Sequence, residues 1–299
     1  MNRGRRIVNA LMTGVFSVAG WVAIVFIFLI FLFTFKETAA VLNWHSMRAF
    51  FLADPPVWQP TSEIPKLSMI PIILGTLKAT VVGMLFAGPV GVAAAVFSSE
   101  FAPARLREVI KPVIELLAGI PSVVMGFFAL IVLATWLQDA FGFTYRLNAI
   151  NAGLALGFAL VPIVYTISED GLAAVPRTYR EASFALGATK LQTAMKVVLP
   201  AAAPAVFASF VLAFGRAIGE TMILLMAGGN AALTSFSLLD PLRTLSATIA
   251  AEMGEVVVGS EHYSALFFMG TLLFVITFLS NTLGQWVIAG MRRRMQGAS

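Results

Sequence analysis

The chain has 299 residues, of which 59% are hydrophobic and 12% charged, with a formal net charge of +5 and no cysteine. Soluble domains carry roughly 25% charged residues, so this composition excludes a soluble globular protein. The cysteine count also excludes disulfides and thiol chemistry. Excess Lys and Arg in a membrane protein indicate topology, so we expect no nucleic-acid partner.

Long apolar runs predict six membrane-spanning helices, since about 20 apolar residues cross a bilayer. In chain order the predicted spans cover roughly residues 11–35, 70–97, 112–137, 150–170, 200–226 and 263–290. The first run is too long for the apolar segment of a signal peptide, so we interpret it as a span. The predicted fold class is therefore all-α, a polytopic membrane protein whose spans form one helical bundle.

The distribution of Lys and Arg predicts that both termini are cytoplasmic, because cytoplasmic loops carry the positive excess. One side of the predicted bundle holds Arg3, Arg5, Arg6, Arg105, Arg107, Lys111, Arg177, Arg180, Lys190, Lys196, Arg292, Arg293 and Arg294, and the other holds Lys36, Arg48, Lys66, Arg146 and Arg243. This asymmetry is consistent only with an even number of spans. Lys78 and Arg216 lie within spans.

Two long connections are expected on the outer side. Residues 36–67 contain four prolines and two tryptophans, which is typical of an irregular interfacial loop. Residues 227–262 predict a short amphipathic helix on the outer surface, with Glu252 and Glu255 on a solvated face or, alternatively, in a docking site for a binding protein. His45 and His262 stand alone in these loops, so the sequence predicts no metal centre.

The connection between the fourth and fifth spans, residues 176–200, is expected to form a helical hairpin. Thr178 with Glu181, and Thr189 with Gln192, have the spacing of capping boxes and predict two helix starts. Gly187 between them is suited to the left-handed residue that ends a helix. Pro200 is expected to end the second helix where the next apolar run begins.

The first helix of this hairpin presents a small apolar face, composed of Ala182, Ala185 and Leu186. Such a face fits the groove of another protein. The alternative is a hairpin that only packs on its own bundle, and the spacing of the residues leaves both open.

The hairpin resembles the EAA signature of ABC-importer permeases. The matching residues are Glu181, Ala182, Ser183, Gly187, Leu199 and Pro200, with Ser183 where the signature has a second alanine. The resemblance implies a type I importer permease whose coupling helix, about residues 176–190, fits a cleft in an ATPase subunit. This chain has no GxxxxGK[ST] loop, so ATP and Mg²⁺ are expected on a partner ATPase dimer, with no cofactor here.

Residues 70–299 also resemble phosphate-specific ABC permeases, more closely the PstC type than the PstA type. The segments that carry this resemblance are 114–127, 214–222 and 264–278. It implies a bacterial inner-membrane subunit for inorganic phosphate, paired with a PstA-like permease, a PstB-like ATPase and a PstS-like binding protein. We divide the chain into residues 1–69, with the first span and an outer loop, and a permease core of five helices at 70–299.

Arg216 and Glu220 lie four positions apart in the fifth predicted span, on one face of a continuous helix. Burying a charge in a bilayer is costly, and intramembrane charges often mark solute pathways. The guanidinium fork matches phosphate oxygens, and a neighbouring carboxylate offers it an alternative partner so that the anion is released. The alternative is a salt bridge that only joins helices.

Smaller expectations concern Glu115, Ser122 and Lys78. Glu115 could gate the pathway, or simply pair with Lys111. Gly119 and Pro121 are expected to break the third helix beside Ser122 and contribute to a binding site, although Gly119 also suits close helix packing. Lys78 could extend its amine to the outer interface.

Three other functions remain open on the sequence. The chain could transport another oxyanion, such as sulfate or molybdate. It could be an ATP-independent channel or secondary transporter. It could also be a membrane scaffold or sensor without transport of its own.

Overall fold

The computed structural model describes residues 3–296 of the chain, and the side chains of residues 11–43, 45–291 and 293. The side chains of Arg3, Arg5, Arg6, Arg292 and Arg294, which entered the charge count, lie outside that description. The described residues are mostly helical. The helices are α1 Arg3–Ala39, α2 Trp44–Phe51, α3 Ile70–Val96, α4 Ala104–Ala118, α5 Ser122–Phe128, α6 Ala134–Phe141, α7 Ala149–Ala173, α8 Arg177–Ala185, α9 Lys190–Thr193, α10 Leu199–Ala201, α11 Ala203–Gly219, α12 Met222–Ala227, α13 Leu245–Glu252 and α14 Glu261–Gln296.

Three π-helical turns directly follow helices α3, α5 and α9. They are Phe97–Phe101 after α3, Ala129–Leu133 between α5 and α6, and Ala194–Val198 between α9 and α10. The outer loop at 36–67 adds α2 and a two-stranded antiparallel pair, β1 Trp58–Gln59 and β2 Lys66–Leu67. This loop is thus more ordered than the proline count predicts.

Five helical stretches are long and apolar enough to cross a membrane: Leu11–Ala39, Ile70–Phe101, Ser122–Phe141, Ala149–Ala173 and Glu261–Met291. A sixth is bent by 67° between Lys190–Ala201 and Ala203–Gly219. The six predicted spans are therefore present if the bent pair counts as one.

The predicted boundaries of the third span are wrong. Residues 112–118 belong to α4, an amphipathic helix that ends at Ala118, and the span itself begins at Ser122. The break at Gly119–Pro121 is confirmed. The close-packing role of Gly119 is not supported within this chain, because a Cβ there would meet only the carbonyl of Leu116, in the preceding turn.

The centre of the bundle is the contact between α3 and α7. Small residues let the two backbones approach closely: a Cβ added at Gly157 would lie 2.7 Å from Cδ1 of Phe86, and one at Gly91 would lie 2.8 Å from Cβ of Val164. The main apolar cluster surrounds this contact, with Leu156 and Leu160 fully buried. This packing fixes α7 as the element from which the hairpin at 176–200 projects.

The first span lies at the periphery. Its side chains from Leu11 to Phe33 are exposed in the single chain, and its contacts are with α14 near its C-terminal end. There Phe31 packs on Phe274, and the hydroxyls of Thr38 and Thr271 are 2.8 Å apart. The separate treatment of residues 1–69 stays a prediction.

Candidate functional site

The fifth predicted span is broken at the two residues between α11 and α12. Helix α11 ends at Gly219, Glu220 is extended with φ −66° and ψ 132°, and α12 starts at Met222. Glycine is a weak helix former, so Gly215 and Gly219 are the residues of the sequence that could have indicated this break. The expectation that Arg216 and Glu220 share one face of a continuous helix is therefore wrong.

Arg216 and Glu220 also form no ion pair. Within the described part of the chain, the exposed Arg216 makes no hydrogen bond or salt bridge. Glu220 is 9% exposed, and its Oε1 accepts a hydrogen bond from the Thr221 backbone N–H at 3.1 Å. The salt-bridge alternative is thereby contradicted, and Arg216 is left as a cation of the bent span with no partner among the described residues.

Helix α13 holds the broken segment in place. The Ser246 hydroxyl donates to the Glu220 carbonyl at 2.6 Å, and Thr244 caps the helix by accepting from the Ala247 N–H. The Leu245 N–H donates to Thr76 of α3 at 3.0 Å. The residues from Leu245 to Thr248 are buried, so α13 does not lie on the outer surface as an amphipathic helix. The predicted amphipathic helix at the surface is therefore wrong, because the small residues and hydroxyls of α13 pack inside the bundle.

Two further polar side chains lie within the predicted spans, Asn281 of α14 and Lys78 of α3. Asn281 of α14 lies against Gly215, so that a Cβ at Gly215 would be 3.5 Å from its Oδ1. Lys78 is buried and donates from Nζ to the Ser237 carbonyl at 3.0 Å, which places its amine at the outer connection as expected. Asn281 was missed because a single amide in an apolar run carries no spacing signal.

The hairpin that was expected on the cytoplasmic side is present with its predicted turn. Gly187 has φ +80°, a conformation that favours glycine. The capping box at Thr189 is complete. The Gln192 backbone N–H donates to the Thr189 hydroxyl at 3.3 Å, and the Thr189 backbone N–H donates to Gln192 Oε1 at 2.9 Å. The predicted box at Thr178 is wrong, because Pro176 is the N-cap of α8 and no side chain caps it. Pro200 does not end the helix either, because the bend follows at Ala202.

The residues of the EAA signature divide between the surface and the interior. Glu181, Ala182 and Gly187 are exposed, and Leu186 beside them is 90% exposed. Leu199 is half-buried, and Pro200 is exposed in α10, two residues before the bend at Ala202. Ser183 is buried and its hydroxyl is 2.9 Å from that of Thr193, so it does not extend the exposed face.

Removing the Ser183 hydroxyl is expected to destabilise the hairpin. In Ser183→Ala the Thr193 hydroxyl, which is 1% exposed, loses its side-chain partner, and an unsatisfied buried group costs about 1–3 kcal/mol. The double variant Ser183→Ala/Thr193→Val should recover most of this loss, because both polar groups are removed together. Thermal unfolding of the purified variants measures the difference; equal losses in the single and double variants would contradict it.

Glu115 and Ser122 differ in solvent exposure. Glu115 is exposed on α4, and Ser122 is half-buried at the start of α5. Lys111 pairs with Glu169 at 3.0 Å and Asp170 at 2.8 Å, so the expected Lys111–Glu115 pair is wrong. Hydrogen bonds to Asp170, and then to Glu169, raise the pKa of Lys111. A raised pKa means that the protonated Lys111 stabilises the fold, and this contribution is lost only above the pKa of a lysine in the unfolded chain, about 10.4. At physiological pH the ion pairs of Lys111 with Glu169 and Asp170 are therefore intact.

A polar cluster closes the outer end of the bundle around Glu252. Its carboxylate accepts from Arg243 at 2.7 Å and from Trp58 Nε1 at 3.2 Å, and it is 2.8 Å from His262 Nε2. The four side chains line a depression of about 540 Å³, together with exposed Glu255. The solvated-face interpretation is therefore wrong for Glu252, which connects α13 to the outer loop and to α14.

Neutralising Glu252 is expected to weaken this closure. In Glu252→Gln the Arg243 guanidinium, whose side chain is 14% exposed, loses its anionic partner, at a cost of up to about 3 kcal/mol. Glu255→Gln removes the same charge from an exposed position and should change stability little. Thermal unfolding in detergent compares the two variants; equal midpoints would show that the cluster contributes nothing.

Comparison with known proteins agrees with this architecture. The probable ABC transporter permease protein YqgH of Bacillus subtilis (strain 168) is 40% identical over 223 residues, covering 74% of this chain and 72% of that protein. The phosphate transport system permease protein PstC of Mesorhizobium japonicum is 32% identical over 268 residues, with 82% and 81% covered. PstC of Haemophilus influenzae is 30% identical over 273 residues, with 84% and 85% covered.

Solved structures share the fold at low sequence identity. A chain of a bacterial alginate ABC transporter superposes with a TM-score of 0.63 at 14% identity, covering 93% of both chains. A chain of the MetNI methionine ABC transporter, in an inward-facing conformation, gives 0.56 at 18% identity, covering 75% of this chain and 94% of that one. These likenesses show the fold of an ABC importer permease.

The family model described as "Binding-protein-dependent transport system inner membrane component" matches residues 79–295, from the middle of α3 to the end of α14. This range includes the coupling hairpin and the broken span with Arg216. The chain therefore belongs to the family of inner-membrane permease components of binding-protein-dependent ABC importers.

Proposed function

We propose that this chain is one of two membrane subunits of an ATP-driven importer of inorganic phosphate. Family membership supports the importer, and relatives named as phosphate transport permeases cover most of the chain. The observation that supports an anionic cargo is Arg216 in the broken fifth span, which has no partner among the described residues and whose guanidinium fork matches the oxygens of an anion such as phosphate.

In this proposal the anion passes Arg216, and Glu220 helps to release it. The two side chains are not paired in the present conformation, so the carboxylate can act only after a rearrangement at the break. Glu115 and Ser122 remain candidates for the cytoplasmic part of the pathway. ATP and Mg²⁺ bind the partner, and this chain needs no cofactor.

The proposed assembly has a PstA-like second permease, a PstB-like ATPase dimer and a PstS-like binding protein outside the bacterial inner membrane. ATP binding closes the ATPase dimer and moves α8, and the bundle opens outward; hydrolysis restores the inward-facing state. Both termini are placed in the cytoplasm, because the charge asymmetry favours that side. Nucleotide shifts this equilibrium only through its different affinity for the two states.

Uptake of labelled phosphate by cells that carry or lack this gene tests the proposal. We expect uptake to depend on the gene, to stop when ATP is depleted, and to resist competition by sulfate and molybdate. Competition by either anion would favour the oxyanion alternative. Uptake that persists without ATP would favour a channel or secondary transporter, and unchanged uptake after deletion would favour a scaffold or sensor.

A further inference from the structure

Arg180, one residue before the EAA signature, forms a bidentate ion pair with Glu100 at the end of α3. Its Nη2 lies 2.6 Å from Glu100 Oε1, and its Nε donates to Oε2 at 3.1 Å. The side chains are 18% and 8% exposed. Among the described residues this is the ion pair that links the hairpin directly to a membrane span. Bidentate Arg–carboxylate pairs are strong and fix orientation as well as distance.

The same guanidinium also holds the end of α7. Nη1 donates to the Val175 carbonyl at 2.7 Å, and Nη2 donates to the Leu172 carbonyl at 3.0 Å. The Val175 carbonyl lies just beyond the end of α7, and the Leu172 carbonyl, in the last turn of α7, also accepts from the Val175 N–H at 3.3 Å. One side chain of α8 therefore connects three elements: the hairpin, the end of α7 and the end of α3.

Glu100 lies in the π-helical turn Phe97–Phe101, which is held from several sides. Tyr165 of α7 donates to Ser98 Oγ at 2.8 Å, and Arg107 of α4 donates to the Ser98 carbonyl at 3.0 Å. Lys190 of α9 lies 5.5 Å from the centre of the Phe101 ring. Because the turn is fixed to its neighbours, a force applied at Glu100 acts on the whole cytoplasmic end of α3.

We propose that Arg180 and Glu100 are positioning residues that transmit the displacement of the coupling hairpin to α3. The inference rests on the proposed function, in which an ATPase moves the hairpin. Without this pair, α8 is connected covalently to α7 and, through α9 and α10, to α11, whereas α3 meets the hairpin through apolar packing and the Lys190–Phe101 contact. The pair therefore makes α3 move as one body with α8.

The purified complete transporter in liposomes tests the transmission through its coupling ratio, the phosphate imported per ATP hydrolysed. In Arg180→Met this ratio should fall by at least about fivefold, the lower end of typical coupling between sites. ATP hydrolysis and co-purification of the ATPase should be retained. A structural defect that only reduces the number of intact transporters lowers import and hydrolysis together and leaves the ratio unchanged; that result would overturn the proposal.

Two further variants keep the test decisive. Arg105→Met removes a cationic side chain from exposed α4 and should leave the ratio unchanged. Glu100→Gln keeps the shape of the acceptor and is the milder change, so it decides the question if Arg180→Met does not assemble. The double variant Arg180→Met/Glu100→Gln should be no worse than Arg180→Met, because both remove one interaction; additive losses would show separate roles.

Spin labels measure the movement itself. The chain has no native cysteine, so Val81→Cys on α3 and Arg177→Cys on α8, both exposed, label this subunit at two points. The distance between them should stay constant between the nucleotide-free and ATP-bound states when Arg180 is present, and change or broaden in Arg180→Met. Two results would contradict the movement of α3 with α8: a label distance that changes on ATP binding when Arg180 is present, or a label distance that is unaffected by Arg180→Met.

These outcomes separate this inference from the proposed function. Failure of the unmodified chain to co-purify with an ATPase, or to import phosphate, would refute the proposed function. A functional transporter whose coupling ratio and label distance are unchanged by substitution of Arg180 or Glu100 would refute only the role of this ion pair in moving α3 with α8.

Discussion

Replacing Arg216 with glutamine is expected to abolish phosphate uptake while the transporter remains assembled. The side chain is exposed on α11 and has no partner within the described residues, so its loss breaks no hydrogen bond or ion pair among them. A guanidinium that binds an anion with two charge-assisted hydrogen bonds contributes about 1.5–3 kcal/mol for each bond. Losing both predicts a decrease in uptake of at least about a hundredfold, since 1.4 kcal/mol corresponds to a factor of ten.

The matched control for this experiment is Arg48→Gln. Arg48 is also exposed and unpaired in the described part of the chain, but it lies on α2 in the outer loop instead of a membrane span. Uptake of labelled phosphate should therefore be near normal in that variant. Co-purification of the other subunits with Arg216→Gln shows whether assembly is retained. Normal uptake by an assembled Arg216→Gln transporter would exclude Arg216 from the pathway.

Placing a carboxylate at Leu186 is expected to detach the ATPase and, with it, to end uptake. Leu186 is 90% exposed at the end of α8, immediately before the left-handed turn at Gly187. A leucine that is buried in a partner contributes about 1.5–3 kcal/mol, and Leu186→Asp also forces an unpaired charge into the contact. The two effects together predict an affinity at least about a hundredfold lower.

Leu52→Asp provides the comparison for Leu186→Asp. Leu52 is also exposed, at 66%, but it follows α2 on the expected outer side, away from any cytoplasmic ATPase. The amount of ATPase that co-purifies with each variant measures the contact directly. If Leu186→Asp retains the ATPase at the level of Leu52→Asp, then the exposed tip of the hairpin is not the docking surface.

The turn of the hairpin and the start of its second helix were predictable because their signals are local. Gly187, and the pair Thr189 and Gln192, act through backbone conformation and hydrogen bonds between near neighbours, and both appear as expected. The environment of Ser183 was not predictable, because its partner Thr193 lies across the turn. From the sequence, a serine in place of alanine is a neutral change on the exposed face of α8. Only the packing of α9 against α8 shows that the Ser183 hydroxyl has a buried partner.

Charged side chains within or beside the spans were the least predictable part of the molecule. Sequence spacing paired Lys111 with Glu115 and Arg216 with Glu220, each four residues apart on one helix. The structure pairs Lys111 with Glu169 and Asp170 of α7, and it breaks the helix before Glu220. Spacing within one helix fails to predict these ion pairs for two reasons. Carboxylates of another helix bind Lys111, and the helix ends between Arg216 and Glu220.

The membrane class, the six apolar segments and the turn of the hairpin follow from the amino-acid sequence, since hydrophobic length and turn chemistry are properties of contiguous residues. Which charges meet depends on the tertiary structure, which pairs Glu252 with Arg243 and His262, pairs Glu100 with Arg180, and leaves Arg216 with no partner among the described residues. The physical reason is that a long-range ion pair depends on how helices pack, and packing is a collective result of the whole bundle.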